Sequence, residues 1–193
     1  RLAGQISGVD GGRMQKGKLT PDDWRLLGKA RGELDRVSHL LPIDAWSLTM
    51  PQIVARARDE HRRHGLDMIV LDYLQLMTAG KRTENRQQEV SEFSRQFKLL
   101  AKELEVPVIA LAQLNRGPEN DKRKPVPSDL KDSGSIEQDA DKVLLLHRDA
   151  SSPEGQSTLE WHLAKHRSGP TGHGTLVFQG HKSRIIDPED VRY

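Results

Sequence analysis

The stretch Leu66-Asp67-Met68-Ile69-Val70-Leu71-Asp72-Tyr73-Leu74-Gln75-Leu76-Met77 decides the fold of this chain. Met68 to Leu71 are consecutive apolar residues, and two of them are β-branched. Such a run predicts a strand buried on both faces, the habit of a parallel sheet covered by helices. Asp72 stands where that strand emerges. Ligands of open α/β sheets bind outside the carboxyl ends of the strands. A carboxylate at that place can hold a metal ion and its water shell. On this stretch alone, a polar residue that simply ends a strand reads the same way.

Upstream, the chain opens on Arg1 in mid-pattern, as a piece of something longer would. Residues 1–7 read as the tail of a helix that Gly8 and Asp10-Gly11-Gly12 end. Thr20-Pro21-Asp22-Asp23 starts the next helix, with Thr20 as cap, Pro21 at the first helical position and acids in the first turn. Trp24, Leu27, Leu34, Val37 and Leu41 recur at helical spacing, so residues 21 to 40 predict an amphipathic helix. Trp24 and Trp46 are expected to pack in a core or an interface. Pro42 to Trp46 predicts a short strand. Thr49-Met50-Pro51-Gln52 is a capping box. The helix it opens should reach His64, with Arg56, Arg58, Arg62 and Arg63 on its outer face and Gly65 as its stop. A strand, a helix and a strand in succession imply a right-handed parallel crossover.

Downstream, Thr78 to Thr83 is a basic loop. Val90, Phe93, Phe97, Leu100, Ala101 and Leu104 mark one face of a helix from Glu84 to Glu105. Val106 to Ala112 is a second buried strand, ending on Gln113. If the two strands are neighbours, Asp72 and Gln113 point into one crevice. Residues 114–135 form a long loop with the charge run Asp121-Lys122-Arg123-Lys124; loops of this length are functional or disordered. Val143 to Leu146 is a third buried strand. Leu159, Trp161 and Leu163 alternate with Thr158, Glu160 and His162, which predicts a half-buried strand. The basic turn Ala164 to Pro170 leads to a hairpin partner around Leu176 and Phe178, and Ile185-Ile186 makes a last short strand. Trp161 takes a core-facing position there rather than serving as a base-stacking platform.

The 193 residues suit one domain, or one domain with a short appendage. A net charge of +2 gives little whole-molecule attraction to nucleic acid, so any such contact needs a local basic patch. The absence of cysteine excludes a disulfide framework and a Cys-based zinc site. The pairs His61/His64 and His162/His166 have metal-site spacings but lack a third ligand in register, so zinc is not expected there. No run approaches the roughly 18 apolar residues of a membrane span, and no signal peptide opens the chain. An intracellular protein is expected.

Five segments in order carry a family resemblance. They are Val70-Leu71-Asp72-Tyr73-Leu74-Gln75-Leu76-Met77, Ser94 to Leu104, Val106 to Arg116, Ser128 to Asp141, and Ala164 to Thr171. In these the chain resembles the C-terminal motor domain of DnaB-type replicative DNA helicases. The resemblance implies an α/β fold, a RecA-like P-loop NTPase core with a mainly parallel sheet flanked by helices and a C-terminal antiparallel strand pair. It covers nearly the whole chain as one partial domain, with residues 38–187 as the best-matched core, 1–37 as a helical entry and 188–193 as a tail. It implies an ATP-dependent helicase that translocates on single-stranded DNA and unwinds duplex DNA during replication, with ATP and Mg2+ as cofactors. The active unit would be a homo-hexamer ring, with primase and a helicase loader as further partners, in the cytoplasm of a bacterium or in phage or plasmid replication.

Roles follow position by position. Asp72 resembles the acid that holds the magnesium ion bridging the nucleotide phosphates. Gln113 resembles the residue that senses the terminal phosphate and relays its state toward DNA. Lys131, Asp132 and Gly134 fall on the loop that grips single-stranded DNA phosphates. Lys165 and Arg167 match the basic pair offered to the neighbouring subunit's nucleotide, where a cation neutralises charge on the transferred phosphoryl group. Two departures stand out. The family's Arg-Glu before Ser-Gly is Lys131-Asp132 here, which keeps the signs but loses the arginine fork. No Gly-x-x-x-x-Gly-Lys-Ser/Thr occurs, so the phosphate loop and the family's catalytic glutamate are expected upstream of Arg1. The rival readings are an inactive piece that only binds subunits or DNA, and a different RecA-like ATPase.

Overall fold

The computed structural model describes residues 2–36, 49–78, 86–121, 123–130, 134–148 and 156–190. They divide into two compact units. One comprises Asp44–Leu145 with Leu163–Gly172, and the other Arg1–Ile43, Leu146–His162 and His173–Tyr193. Helices α1 (Leu2–Ser7), α2 (Gly11–Gln15) and α3 (Pro21–Arg36) come first in the chain and belong to the latter.

The first of these units is built around the opening stretch. Helix α4 (Met50–His64) leads into strand β1 (Ile69–Leu71), helix α5 (Arg86–Leu104) and strand β2 (Val108–Ala110). Gln52 closes the box at the start of α4, its side-chain oxygen accepting from the Thr49 backbone N–H at 2.8 Å and from the Thr49 hydroxyl at 3.0 Å. Gly65, with φ of +75°, ends α4 in a conformation that favours glycine. Strands β1 and β2 pair in parallel, with Ile69 opposite Val108 and Leu71 opposite Ala110. The core lies on one side of this pair. Val90, Phe93, Phe97, Leu100 and Leu104 of α5 are all buried, at the three-to-four-residue spacing that the sequence shows. They pack with Met50, Ala57, Leu74 and Met77, and Ile69, Leu71 and Val108 lie against them. Outside the core, Arg58 holds both oxygens of Glu103 at 2.7 and 2.8 Å and ties α4 to α5.

Burial of β1 on both faces is not observed. Val70 is 58 % exposed and its partner Ile109 is 50 % exposed. A consecutive apolar run states that both faces are apolar; it does not state that both are covered. Strand β3 (Lys142–Arg148) departs in the same way, with Val143 and Leu145 buried and Leu144 and Leu146 exposed. It belongs to a second sheet, whose order is β3, β4 (Gln156–His166), β5 (Gly172–Gln179), β6 (Arg184–Ile186). The five residues between β4 and β5 are too few for a crossover, so this is the expected antiparallel hairpin. Strands β5 and β6 are also antiparallel, Val177 facing Ile186. Gly174 is required there, because a Cβ would lie 2.8 Å from the Trp161 ring.

In the other unit, α1 ends at Gly8, with φ of +70°. The Asp10-Gly11-Gly12 cluster does more than end it. Asp10 accepts from the Arg13 N–H at 2.8 Å and caps the second short helix, α2. The inward residues of α3 are Asp23 and Ala30, whereas Trp24 is 64 % exposed and is not packed in the core of this chain. Asp23 wins the inward position because it completes a capping box. It accepts from the Thr20 N–H at 2.9 Å, Thr20 Oγ1 accepts from the Asp23 N–H at 3.2 Å, and Arg13 lies 3.0 Å away. The Thr20 amide, with help from Arg13, holds the Asp23 carboxyl below its usual range. The strand expected at Pro42 to Trp46 lies outside the described residues.

Candidate functional site

The parallel register brings the carboxyl ends of β1 and β2 to the same edge, so Asp72 and Gln113 leave the pair on the same side. Both are exposed. The backbone continues the pairing past the strands: Leu111 N–H donates to Leu71 O, and Leu74 N–H to Leu111 O, each at 2.9 Å. Gln75 then locks the two tips together. Its side-chain oxygen accepts from the Gln113 N–H at 3.0 Å, and its amide donates to Gln113 O at 3.4 Å. Arg86, at the start of α5, donates to Gln75 O at 2.8 Å and pairs with Glu89. Reading the sequence did not single out Gln75 or Arg86. Gln75 carried a signal, being a lone amide between Leu74 and Leu76.

Beyond Gln113 the described residues of the long loop take up regular turns. The loop holds the helical turn α6 (Gly117–Asn120) and a 3-10 turn at Pro127–Asp129. Leu114 and Leu130 form an antiparallel bridge at its base, and Asn115 N–H donates to Asp129 O at 2.7 Å. Asp129 is 4 % exposed. Its carboxylate accepts from Arg123 at 2.6 and 2.8 Å and from the Val126 N–H at 2.9 Å. The Arg123 fork, then the Val126 amide, pull its carboxyl down to about 2, and the same pair pushes the Arg123 guanidinium up. The charge run thus includes one arginine that holds a buried acid.

Lys131 and Asp132 lie outside the described residues. Gly134 opens helix α7 (Gly134–Asp139), so the helix begins where the sequence predicts the end of the long loop. Ile136 of α7 is buried against the α5 core, and Ser135 Oγ donates to Ser91 Oγ at 2.5 Å. At the other end of α7, Lys165 Nζ donates to the carbonyls of Glu137 and Gln138, where a cation suits the helix terminus. Arg167 N–H donates to Asp141 O at 2.8 Å, and its guanidinium lies 3.7 Å from the Asp141 carboxylate. Lys98 of α5 also pairs with Asp141. Lys98, with Arg167 and Lys165 behind it, keeps the Asp141 carboxyl below its usual range. One unit therefore carries Asp72, Gln113, Gly134, Lys165 and Arg167.

The spacing Gly12-x-x-x-x-Gly17-Lys18 comes within one residue of a phosphate loop, but Leu19 replaces the hydroxyl. The segment contains α2 and follows a helix rather than a strand. It lacks the context that such a loop needs.

The model of the DnaB-like helicase C terminal domain matches residues 1–187. The chain belongs to that family. A curated relative, the replicative DNA helicase DnaB of Leifsonia xyli subsp. xyli, is 51% identical over 180 residues, 90% of this chain and 39% of its own length. The DnaB of Geobacillus stearothermophilus is 45% identical over 187 residues, 94% of this chain and 41% of its own. Among solved structures, a DnaB-like replicative helicase described with its primase interactions superposes with a TM-score of 0.87 at 33% identity, over 96% of this chain and 46% of that one. A second solved structure, an ATPase domain, gives the same TM-score and identity, with 68% of its chain covered. The DnaB-like fold is thus established, and the chain spans about two fifths of the curated relatives it matches.

Proposed function

We propose that this domain is the part of a ring-forming, ATP-driven replicative DNA helicase that carries the metal-holding strand, the phosphate sensor, the DNA loop and the cations offered to the next subunit. The observation that carries the reading is the Gln75 clamp, which fixes Gln113 beside the strand that ends on Asp72. ATP and Mg2+ are the proposed cofactors. The donor set fits: Mg2+ takes one or two carboxylates plus substrate phosphates rather than an all-protein cage. Asp72 is an exposed strand-tip carboxylate, and among the described residues no three His, Cys, Asp or Glu gather as a cage. Bound there, the ion would supply charge neutralisation at the phosphates.

Around that group the chain's own residues do the following. Asp72 would hold the ion. Gln113, its backbone pinned by Gln75, presents its side-chain amide to the terminal phosphate. Lys131 to Gly134 grip single-stranded DNA, with Lys131 as a point charge. Lys165 and Arg167 act on the neighbour's nucleotide, which requires a ring, proposed as a homo-hexamer. The cytoplasm of a bacterium is the proposed setting, with primase and a loader as proposed partners; one solved relative is described with its primase interactions. Among the described residues no helix is long and apolar enough to cross a membrane.

The test is ATP hydrolysis by the full-length protein and by these 193 residues alone. Asp72→Ala should abolish hydrolysis in the full-length protein while the protein stays folded. The isolated chain should be inactive, because the pattern for a phosphate loop is absent from it. Hydrolysis by the isolated chain overturns the division of labour proposed here. Full activity of Asp72→Ala removes Asp72 from the site.

A further inference from the structure

Residues 114–130 join the proposed phosphate sensor to the proposed DNA loop. Gln113 precedes Leu114, and Lys131 follows Leu130. Leu114 and Leu130 form an antiparallel bridge, and its hydrogen bond from the Asn115 N–H to Asp129 O closes the base of the loop. Leu114 and Leu130 are therefore neighbours across that base, although the whole loop separates them in sequence.

An internal staple keeps the base closed. Asp129 uses its backbone oxygen on Asn115 and its carboxylate on both nitrogens of Arg123 and on the Val126 amide. Asn115 also supports the Asp129 carboxylate with its side chain. Asn115 Oδ1 accepts from the Gly117 N–H at 2.9 Å. A Cβ on Gly117 would lie 2.9 Å from that oxygen and 3.3 Å from the Arg123 guanidinium. A methyl group there would push against the ends of both side chains. A buried carboxylate with a bidentate arginine and two further donors is held far more firmly than a surface pair. On the other side, Gln75 pins Gln113 to the tip of β1.

We infer that residues 114–130 are a rigid coupler, and that the Arg123–Asp129 latch makes a displacement of Gln113 arrive at Lys131 instead of being absorbed by the loop. Arg123 and Asp129 are positioning residues in this scheme: they touch neither nucleotide nor DNA. The inference rests on the sensor and DNA-loop roles proposed above.

The experiment uses the full-length protein, with ATP hydrolysis measured in the absence and presence of single-stranded DNA. Arg123→Ala and Asp129→Asn should keep the DNA-free rate and lose the DNA-dependent rise, by about fivefold or more, the scale of a site-to-site coupling. Arg123→Lys keeps the charge without the fork and should retain part of the rise. Gly117→Ala should resemble Arg123→Ala without any change of charge. Melting temperatures establish that each variant is folded. Wild-type stimulation in folded Arg123→Ala and Asp129→Asn overturns the coupler. So does an equal loss of DNA-free and DNA-dependent rates, since that is general damage. Gln113→Ala and Lys131→Ala form the reference arm. If they leave DNA stimulation intact, the sensor and DNA-loop roles fail. If they abolish it while the latch variants do not, only the coupler fails.

Discussion

Arg123 holds both oxygens of Asp129 at 2.6 and 2.8 Å, whereas Arg167 lies 3.7 Å from Asp141. The side chain of Asp129 is 5% exposed and that of Asp141 is 56% exposed. The same two residue types thus form a fixed joint in one place and a loose tether in the other. Geometry and burial explain the contrast. A bidentate pair with a buried acid loses a great deal when one partner goes. An exposed pair at nearly 4 Å contributes little and exchanges readily with another anion. A cation proposed to act on a neighbouring subunit's phosphate has to be of the second kind. Lys98 shares Asp141 and weakens its hold on Arg167 further.

The largest expected effect separates the two pairs by activity. Arg167→Ala in the full-length protein should lower ATP hydrolysis by about 10³-fold or more, the scale of an arginine finger, and leave the melting temperature nearly unchanged. Mixing it with subunits defective at Asp72 should restore part of the activity, because each lacks what the other supplies. If no activity returns, the assignment to the neighbour's site is wrong. Arg123→Ala should show the reverse pattern in the absence of DNA, with hydrolysis kept and the loop loosened.

A smaller effect distinguishes the acids. The Asp129 carboxyl titrates near 2 in the folded chain against an unfolded value of 3.8. A depressed folded value contributes stability above the unfolded value, and the contribution is lost as pH falls. Wild type should therefore exceed Asp129→Asn in melting temperature by a constant margin above about pH 4. The margin should shrink between about pH 4 and pH 2. A margin that does not change across that window removes the ionised latch. Smallest of all, Asp141→Asn should change stability by about 1 kcal/mol or less, and roughly 0.5 M salt should erase most of the difference, since exposed pairs are screened.

The helices that carry the core were legible because their periodic faces and caps are local. The α5 face from Val90 to Leu104 and the Gly65 stop are where the sequence puts them. The two apolar runs with polar tips at Asp72 and Gln113 were legible as strands, whereas their pairing stayed conditional until the register of β1 and β2 supplied it. What was not legible depends on partners distant in sequence. Whether Val70 and Leu144 are covered is decided by what packs on them, not by their own hydrophobicity. The burial of Asp23 and the exposure of Trp24 reverse a hydrophobic ordering, because hydrogen bonds from Thr20 outweigh it locally. Asp129 reads as an ordinary loop acid until Arg123 and Asn115 are folded against it. The proposed roles of Asp72, Gln113, Lys165 and Arg167 came from matching motifs. Gln75 and Asp141 stood inside those motifs, yet only coordinates expose their hydrogen bonds.

The close approach of Trp161 to Gly174 also has an optical consequence. The indole of Trp161 lies against backbone in the second sheet, while that of Trp24 stands open to water. In a Trp46→Phe background the two emit from different surroundings, Trp161 toward the blue and Trp24 toward the red. Iodide should quench Trp24 first. That variant therefore carries two tryptophan fluorophores, one that reports on the antiparallel sheet and one that reports on whatever comes to rest on α3.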